Sequence, residues 1–237
     1  SSGRCPLMDE KMSALSLVLD GDPALYSIVG LSLAVSLGAT LLAAVTGAPL
    51  GALIALSRFP GRQAIVVLLN AMMGLPPVVV GLVIYLLLSR SGPLGELGLL
   101  FTPSAMVVTQ TLLVMPIIAA LARQTIEDLW QECREELAAL GVGPVRRVRT
   151  LLWDARFSLI TALLAGFGRA AAEVGSIIIV GGNIEGYTRT MTTTIALETS
   201  KGNLPMAMGL GIVLLSIVLA VNIAAWAVKQ VGARFEQ

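Results

Sequence analysis

The residues best equipped for chemistry lie in the last third of the chain. Thr188, Thr190, Thr192, Thr193, Thr194, Thr199 and Ser200 supply hydroxyl donors beside the cations Arg189 and Lys201. That inventory suits an oxyanion, and it equally suits an outer loop that caps helices. Arg169 and Glu173 stand four residues apart in an otherwise apolar run, so a helix through both would let each partly neutralise the other. Ionisable side chains at such depth face a bundle interior or an aqueous path. The pair is read either as an ion pair that holds packed helices or as positive potential on an anion's route. Ser176 follows Gly175, but the chain has no histidine to activate a serine and no lysine within its apolar runs. No catalytic residue is assigned. Cys5 and Cys133 lie in unlike surroundings, and with no histidine beside them neither a metal site nor a disulfide framework is expected. The phosphate-cradling pattern G-x-x-x-x-G-K-[ST] is absent from the sequence, so no ATP-binding cofactor site is expected.

These groups are set in a chain that belongs in a bilayer. Hydrophobic residues make up 56% and charged residues 13% of the 237, with a mean hydropathy of +0.85. Sixteen basic residues against fifteen acidic ones leave no general attraction to nucleic acid. A hydrocarbon core about 30 Å thick needs about 20 apolar helical residues to cross it. Five stretches qualify: Leu25–Ser57, kinked at Gly47-Ala-Pro49-Leu-Gly51; Ala64–Ser89, with Pro76-Pro77 near its middle; Pro103–Ala122; Phe157–Gly182; and Pro205–Val228. The first is long enough to remain as a span and lacks a cleavage-site pattern. Met12–Leu19 is short and flanked by acids, which fits a surface helix better than a sixth span.

Positive charge orients them. Arg58, Arg62, Arg123, Arg134, Arg146, Arg147, Arg149, Arg156, Lys229 and Arg234 fall on one side of an alternating topology, against Arg4, Lys11, Arg90, Arg189 and Lys201 on the other. The richer side is cytoplasmic. The expected organisation is an extracytoplasmic segment 1–24, one all-α polytopic membrane domain 25–228 and a cytoplasmic tail 229–237. Within it, 123–156 forms a large cytoplasmic loop.

That loop has its own pattern. Ile126, Leu129, Trp130, Cys133, Leu137 and Leu140 recur at helical spacing opposite Glu127, Asp128, Gln131, Glu132, Arg134, Glu135 and Glu136. Gly141 and Gly143 permit a tight turn, and Pro144 can open a second helix. Amphipathicity alone fits a hairpin on the membrane surface. Along the fourth span, Ala162, Gly166 and Ala170, and Gly168, Ala172 and Ser176, make small-residue ladders suited to a pore-lining helix or to a seam between two copies.

Glu135-Glu-Leu-Ala-Ala-Leu-Gly141 resembles the E-A-A-x-x-x-G loop of permease subunits of ATP-binding-cassette importers, with leucine at 137 for alanine and Trp153-Asp154 where a Leu-Pro is usual. Residues 172–203, from Ala172-Glu173-Val174-Gly175-Ser176 through Gly181-Gly182-Asn183 to Lys201-Gly-Asn203, look like the tungstate permease branch of the molybdate, tungstate and sulfate importers. The resemblance implies the type I permease fold in a bacterial cytoplasmic membrane. It implies a path enclosed by two copies of the chain, two cytoplasmic ATPase subunits and an extracytoplasmic anion-binding protein. It implies ATPase coupling at Glu135, Glu136, Ala138, Leu140, Gly141 and Pro144. A translocation path or gate is implied at Arg169, Glu173, Gly175, Ser176, Gly181, Gly182 and Asn183, and a binding-protein face at Arg189, Thr192, Glu198 and Lys201. Molybdate or another tetrahedral oxyanion is the alternative cargo. An ion-coupled secondary transporter, suggested by proline-broken helices, is the alternative class.

Overall fold

The structure, a computed structural model, describes residues 23–57, 59–139, 141 and 143–235. The expected segment 1–24 up to Asp22, with Arg4, Cys5, Lys11 and Met12–Leu19, lies outside the described residues, as do Arg58 and Leu140. Among the described residues there are nine α-helices and no strand. They are α1 (Pro23–Leu56), α2 (Arg62–Met73), α3 (Pro77–Leu88), α4 (Pro103–Ala139), α5 (Pro144–Asp154), α6 (Arg156–Ala171), α7 (Gly175–Gly181), α8 (Met191–Ser200) and α9 (Leu204–Phe235).

Three helices, α1, α4 and α9, are long and apolar enough to cross a membrane. Two pairs bent by 99° and 74°, α2 with α3 and α5 with α6, pass the same test jointly, which makes up to five if each pair is one broken span. The second expected span is therefore two helices. Its break at Gly74-Leu-Pro-Pro77 coincides with two prolines in a row, of which Pro77 opens α3.

α1 runs through Gly47-Ala-Pro49-Leu-Gly51 as one helix, and Pro116 likewise lies inside α4. Two further sequence expectations change. The third span and the amphipathic segment after it are also a single helix of 37 residues, because nothing between Pro116 and Gly141 breaks a helix and Ala, Leu, Glu and Arg favour one. At 1.5 Å per residue α4 is about 55 Å long, well beyond a hydrocarbon core. The fourth span is not one helix to Gly182: α6 stops at Ala171, and α7 begins at Gly175. Glu173 thus lies outside α6, so helical spacing does not place it beside Arg169.

The described residues divide into two compact units. One holds the residues through Ser36, Pro77–Thr109 and Ala171–Ala220; the other holds Leu37–Pro76, Gln110–Ala170 and the residues from Val221 on. In the first, α7 packs on α3 at Gly81, where an added Cβ would stand 2.7 Å from Ser176 Cα. Leu25, Met191 and Leu210 join the start of α1 to α8 and α9. Gly181 lies against Met106 and Gly182 against Phe101.

In the second unit the backbones of α1 and α4 nearly touch. A Cβ on Gly51 would lie 2.3 Å from Ala119 O, and one on Gly47 would lie 2.9 Å from Met115 O. Gly47-x-x-x-Gly51 is thus the small-residue ladder that lets these two helices meet. Gly166 of α6 makes room for the side chains of Val114 and Ile118 of α4. Ala170 shares a buried cluster with Ala43, Val114 and Ile118. The Ala162-Gly166-Ala170 ladder therefore packs within the chain. The Gly168-Ala172-Ser176 ladder is broken where α6 ends, and Gly168 meets no neighbour.

Gly51→Ala should lower thermal stability in detergent by about 1–3 kcal/mol, the cost of overpacking. Gly30→Ala, whose Cβ meets nothing within 4 Å, should be neutral or stabilising; equal melting temperatures for both variants would remove the close-approach argument.

Candidate functional site

The elbow is built from the C-terminal half of α4, the turn at Gly141, α5 and the start of α6. Its apolar stripe does not face outward. Ile126 and Leu137 are buried with Ala52 and Ala55 of α1, Leu151 of α5 and Ala155, and Leu129, Trp130, Cys133, Val148, Leu152 and Leu159 pack around them. Complete burial of a side chain such as Ile126 or Leu151 contributes about 1.5–3 kcal/mol in water. A surface hairpin lying with this stripe in lipid is excluded, because the stripe is already occupied by the chain itself.

What faces outward is charge. Gln131, Glu132, Arg134, Glu135 and Glu136 are exposed on α4. Ala138 falls in its last turn. Gly141 has φ +61°, a left-handed conformation that suits glycine and ends the helix. Gly143 then caps α5, and Pro144 supplies its first turn, exposed. α5 and α6 meet at Ala155 with a bend of 74°. The guanidinium of Arg147 lies 4.7 Å from the Trp130 ring, tying α5 back to α4.

The elbow is also pinned by a cluster that sequence reasoning treated only as topology charges. Arg62 donates through Nε to Ile54 O at 2.8 Å and through its terminal nitrogen to Glu127 Oε1 at 2.8 Å. Arg123 closes the other oxygen of Glu127, one helical turn away. The Arg62 guanidinium thus links α1, α2 and α4. The available signal was the i, i+4 spacing of Arg123 and Glu127; Arg62, 65 residues from Glu127, gave none.

Gln110, buried in the same unit, donates to Ala170 O at 2.9 Å near the end of α6. Arg169, partly buried on α6, belongs to this unit.

The other unit gathers most of the remaining predicted residues. Glu173 is buried and accepts from Ser176 N at 3.1 Å, fixing the start of α7. Ser176 is fully buried against Gly81, and Gly175 lies against Val78. Gly182 (φ +72°) and Asn183 (φ +50°) turn the chain out of α7. The threonines are not a ring of free donors. Thr188 donates to Gly181 O at 2.6 Å and accepts from Ile184 N at 2.9 Å. Thr190 caps α8 reciprocally with Thr193, and Thr194 donates to Thr190 O. Thr192 is buried and donates to Glu173 O at 2.9 Å, so it cannot lie on an exposed binding-protein face. Thr199 and Ser200 donate to carbonyls of their own helix. The hydroxyls thus fasten α7, α8 and the segment between them.

Three candidates remain at a surface. Lys201 is exposed and pairs with Glu198 at 2.9 Å, whose other oxygen accepts from Asn203 at 2.8 Å. Hydrogen bonds from Lys201 and Asn203 hold the Glu198 carboxyl below the usual carboxylate range. Arg189, half-buried, pairs with Glu185 at 3.4 Å.

Residues 47–232 match the family model described as a binding-protein-dependent transport system inner membrane component. A probable anion ABC transporter permease protein of Haloferax volcanii is 41% identical, over 89% of this chain and 90% of its own length. A tungstate uptake system permease protein of Peptoclostridium acidaminophilum is 38% identical, covering 92% of this chain and 96% of its own length. Its counterpart in Campylobacter jejuni is 35% identical over 94% of each.

Thr188→Val removes a buried hydroxyl with two partners and should cost about 1–3 kcal/mol of stability. Thr199→Val, on an exposed turn, should change little. Equal thermal shifts for the two variants would contradict the fastening role.

Proposed function

This chain belongs to the binding-protein-dependent transport system inner membrane components, and from that premise we propose that it is the permease of an ATP-binding-cassette importer for tungstate. It is a multi-pass protein of the inner membrane and a transport permease. Two copies enclose the path, an extracytoplasmic anion-binding protein delivers the oxyanion, and two cytoplasmic ATPase subunits supply the energy. The tungstate permeases that align over nearly the whole chain support this cargo over other tetrahedral oxyanions.

The observation that carries the coupling scheme is the outward charge of the elbow. With its apolar stripe buried, α4 offers Glu132, Glu135 and Glu136 to a soluble subunit, next to the Gly141 turn. Because the same helix continues into a membrane span, displacement at the carboxylate end is passed along α4 without an intervening hinge. Gly47, Gly51 and Gly166 then transfer it to α1 and α6. Arg169 on α6 lends positive potential to the anion's path, while Glu173, Gly175, Ser176, Gly181, Gly182 and Asn183 shape a turn beside α7. The exposed Lys201, with Glu198 and Arg189, forms part of the face met by the binding protein.

Tungstate uptake into proteoliposomes should require ATP, the ATPase and the binding protein together. Uptake driven by an ion gradient without the ATPase would establish the secondary-transporter reading instead. Glu135→Arg and Gly141→Pro, the latter unable to adopt φ +61°, should leave ATPase activity but reduce uptake about tenfold or more, an interface loss near 1.4 kcal/mol. Wild-type uptake in both would refute coupling through the elbow.

A further inference from the structure

Beside the elbow, α1 and α5 enclose an open groove of about 1150 Å³ whose lining includes Pro49, Leu53, Val145, Arg146, Arg149 and Trp153. Its composition is divided. Pro49 and Leu53 form an apolar floor on α1, whereas Arg146 and Arg149 stand one turn apart on α5. Val145 is 83% exposed and Trp153 69% exposed. Tryptophan beside arginine is the pairing found at the boundary between hydrocarbon and headgroups.

The floor continues past the groove. Leu42, Val45, Leu50 and Leu53 are exposed along one broad side of α1. That side lies on a spanning helix and carries no charged residue, as a lipid-facing surface requires. A ligand that fits needs an apolar tail to follow this stripe and an anionic head to reach two guanidinium groups, which bind phosphate well.

We propose that this groove is a binding site for an anionic phospholipid, with its acyl chains along Leu42–Leu53 and its phosphate held by Arg146 and Arg149. The lipid wedges between α1 and the elbow and steadies α5 against the membrane. The site rests on the membrane location of the chain and not on the identity of the cargo, so failure of the tungstate reading leaves it standing.

The full-length chain is reconstituted in nanodiscs of mixed phosphatidylcholine and phosphatidylglycerol, extracted gently and weighed by native mass spectrometry. Wild type should retain phosphatidylglycerol in preference to phosphatidylcholine. Arg146→Gln with Arg149→Gln should lower that retention about tenfold to thirtyfold, as two basic residues at a membrane surface would, while Arg146→Lys with Arg149→Lys keeps most of it. Melting temperatures of the variants show whether each is folded. Equal retention of the two lipids, or unchanged retention in the glutamine variant, overturns the proposal. Loss of the lipid when the ATPase is added, or loss of dimer without loss of lipid in the glutamine variant, assigns the groove to a protein partner and overturns it as well.

Discussion

The packing of one apolar stripe, Ile126 to Leu137, against α5 and the end of α1 is the constraint on which the elbow depends. It makes a helix that would otherwise protrude alone into a braced element, and it decides which face is left outside. The charged face is therefore a consequence of internal packing, since no large apolar group on α4 beyond the span remains to be covered. The Glu127 carboxylate between Arg62 and Arg123 reinforces the brace from the membrane side. These side chains are only partly exposed, which reduces the solvent screening that makes most surface ion pairs weak.

Close backbone approach extends the same brace into the membrane. In lipid the hydrophobic effect gives helices no reason to associate, so contact depends on how near their backbones can come. Gly47 and Gly51 bring α1, and Gly166 brings α6, close onto α4, and bulk at any of them would crowd that packing. In the other unit the threonines meet a different demand. Short helices such as α7 and α8 have many unpaired ends for their length, and Thr188, Thr190 and Thr192 satisfy carbonyls and amides that lipid or tight packing would leave bare.

Much of this was legible in the sequence. Hydropathy located the three long spanning helices and the bent pair at Pro76-Pro77, but it carried the fourth stretch past the end of α6, and Gly141 followed by Pro144 marked the turn and the next helix. The amphipathic period predicted which residues of the elbow are buried, although not what buries them, because a stripe has the same period whether lipid, an ATPase or the chain's own α5 covers it. The break at Ala172–Val174 was hidden since only Gly175 there disfavours a helix, and the bond by which Glu173 accepts from Ser176 N at the new start is not a pattern of composition. Counting hydroxyls between Thr188 and Ser200 overstated the donors available to an anion; a threonine's partner is a matter of backbone geometry that composition does not carry. The Arg62–Glu127 link depends on a pairing of distant segments for which one sequence has no signal.

The account turns on the outward face of α4 being the surface the ATPase meets. Single cysteines at Glu132, Glu136, Leu129 and Trp130, in a chain with Cys5 and Cys133 replaced by serine, can be tested for cross-linking to the ATPase subunit in the assembled transporter. Positions 132 and 136 should cross-link, and their yield should change when ATP binds, while 129 and 130 should not react. Cross-linking confined to positions 129 and 130 would mean that the apolar stripe opens to dock the ATPase, and would contradict the account.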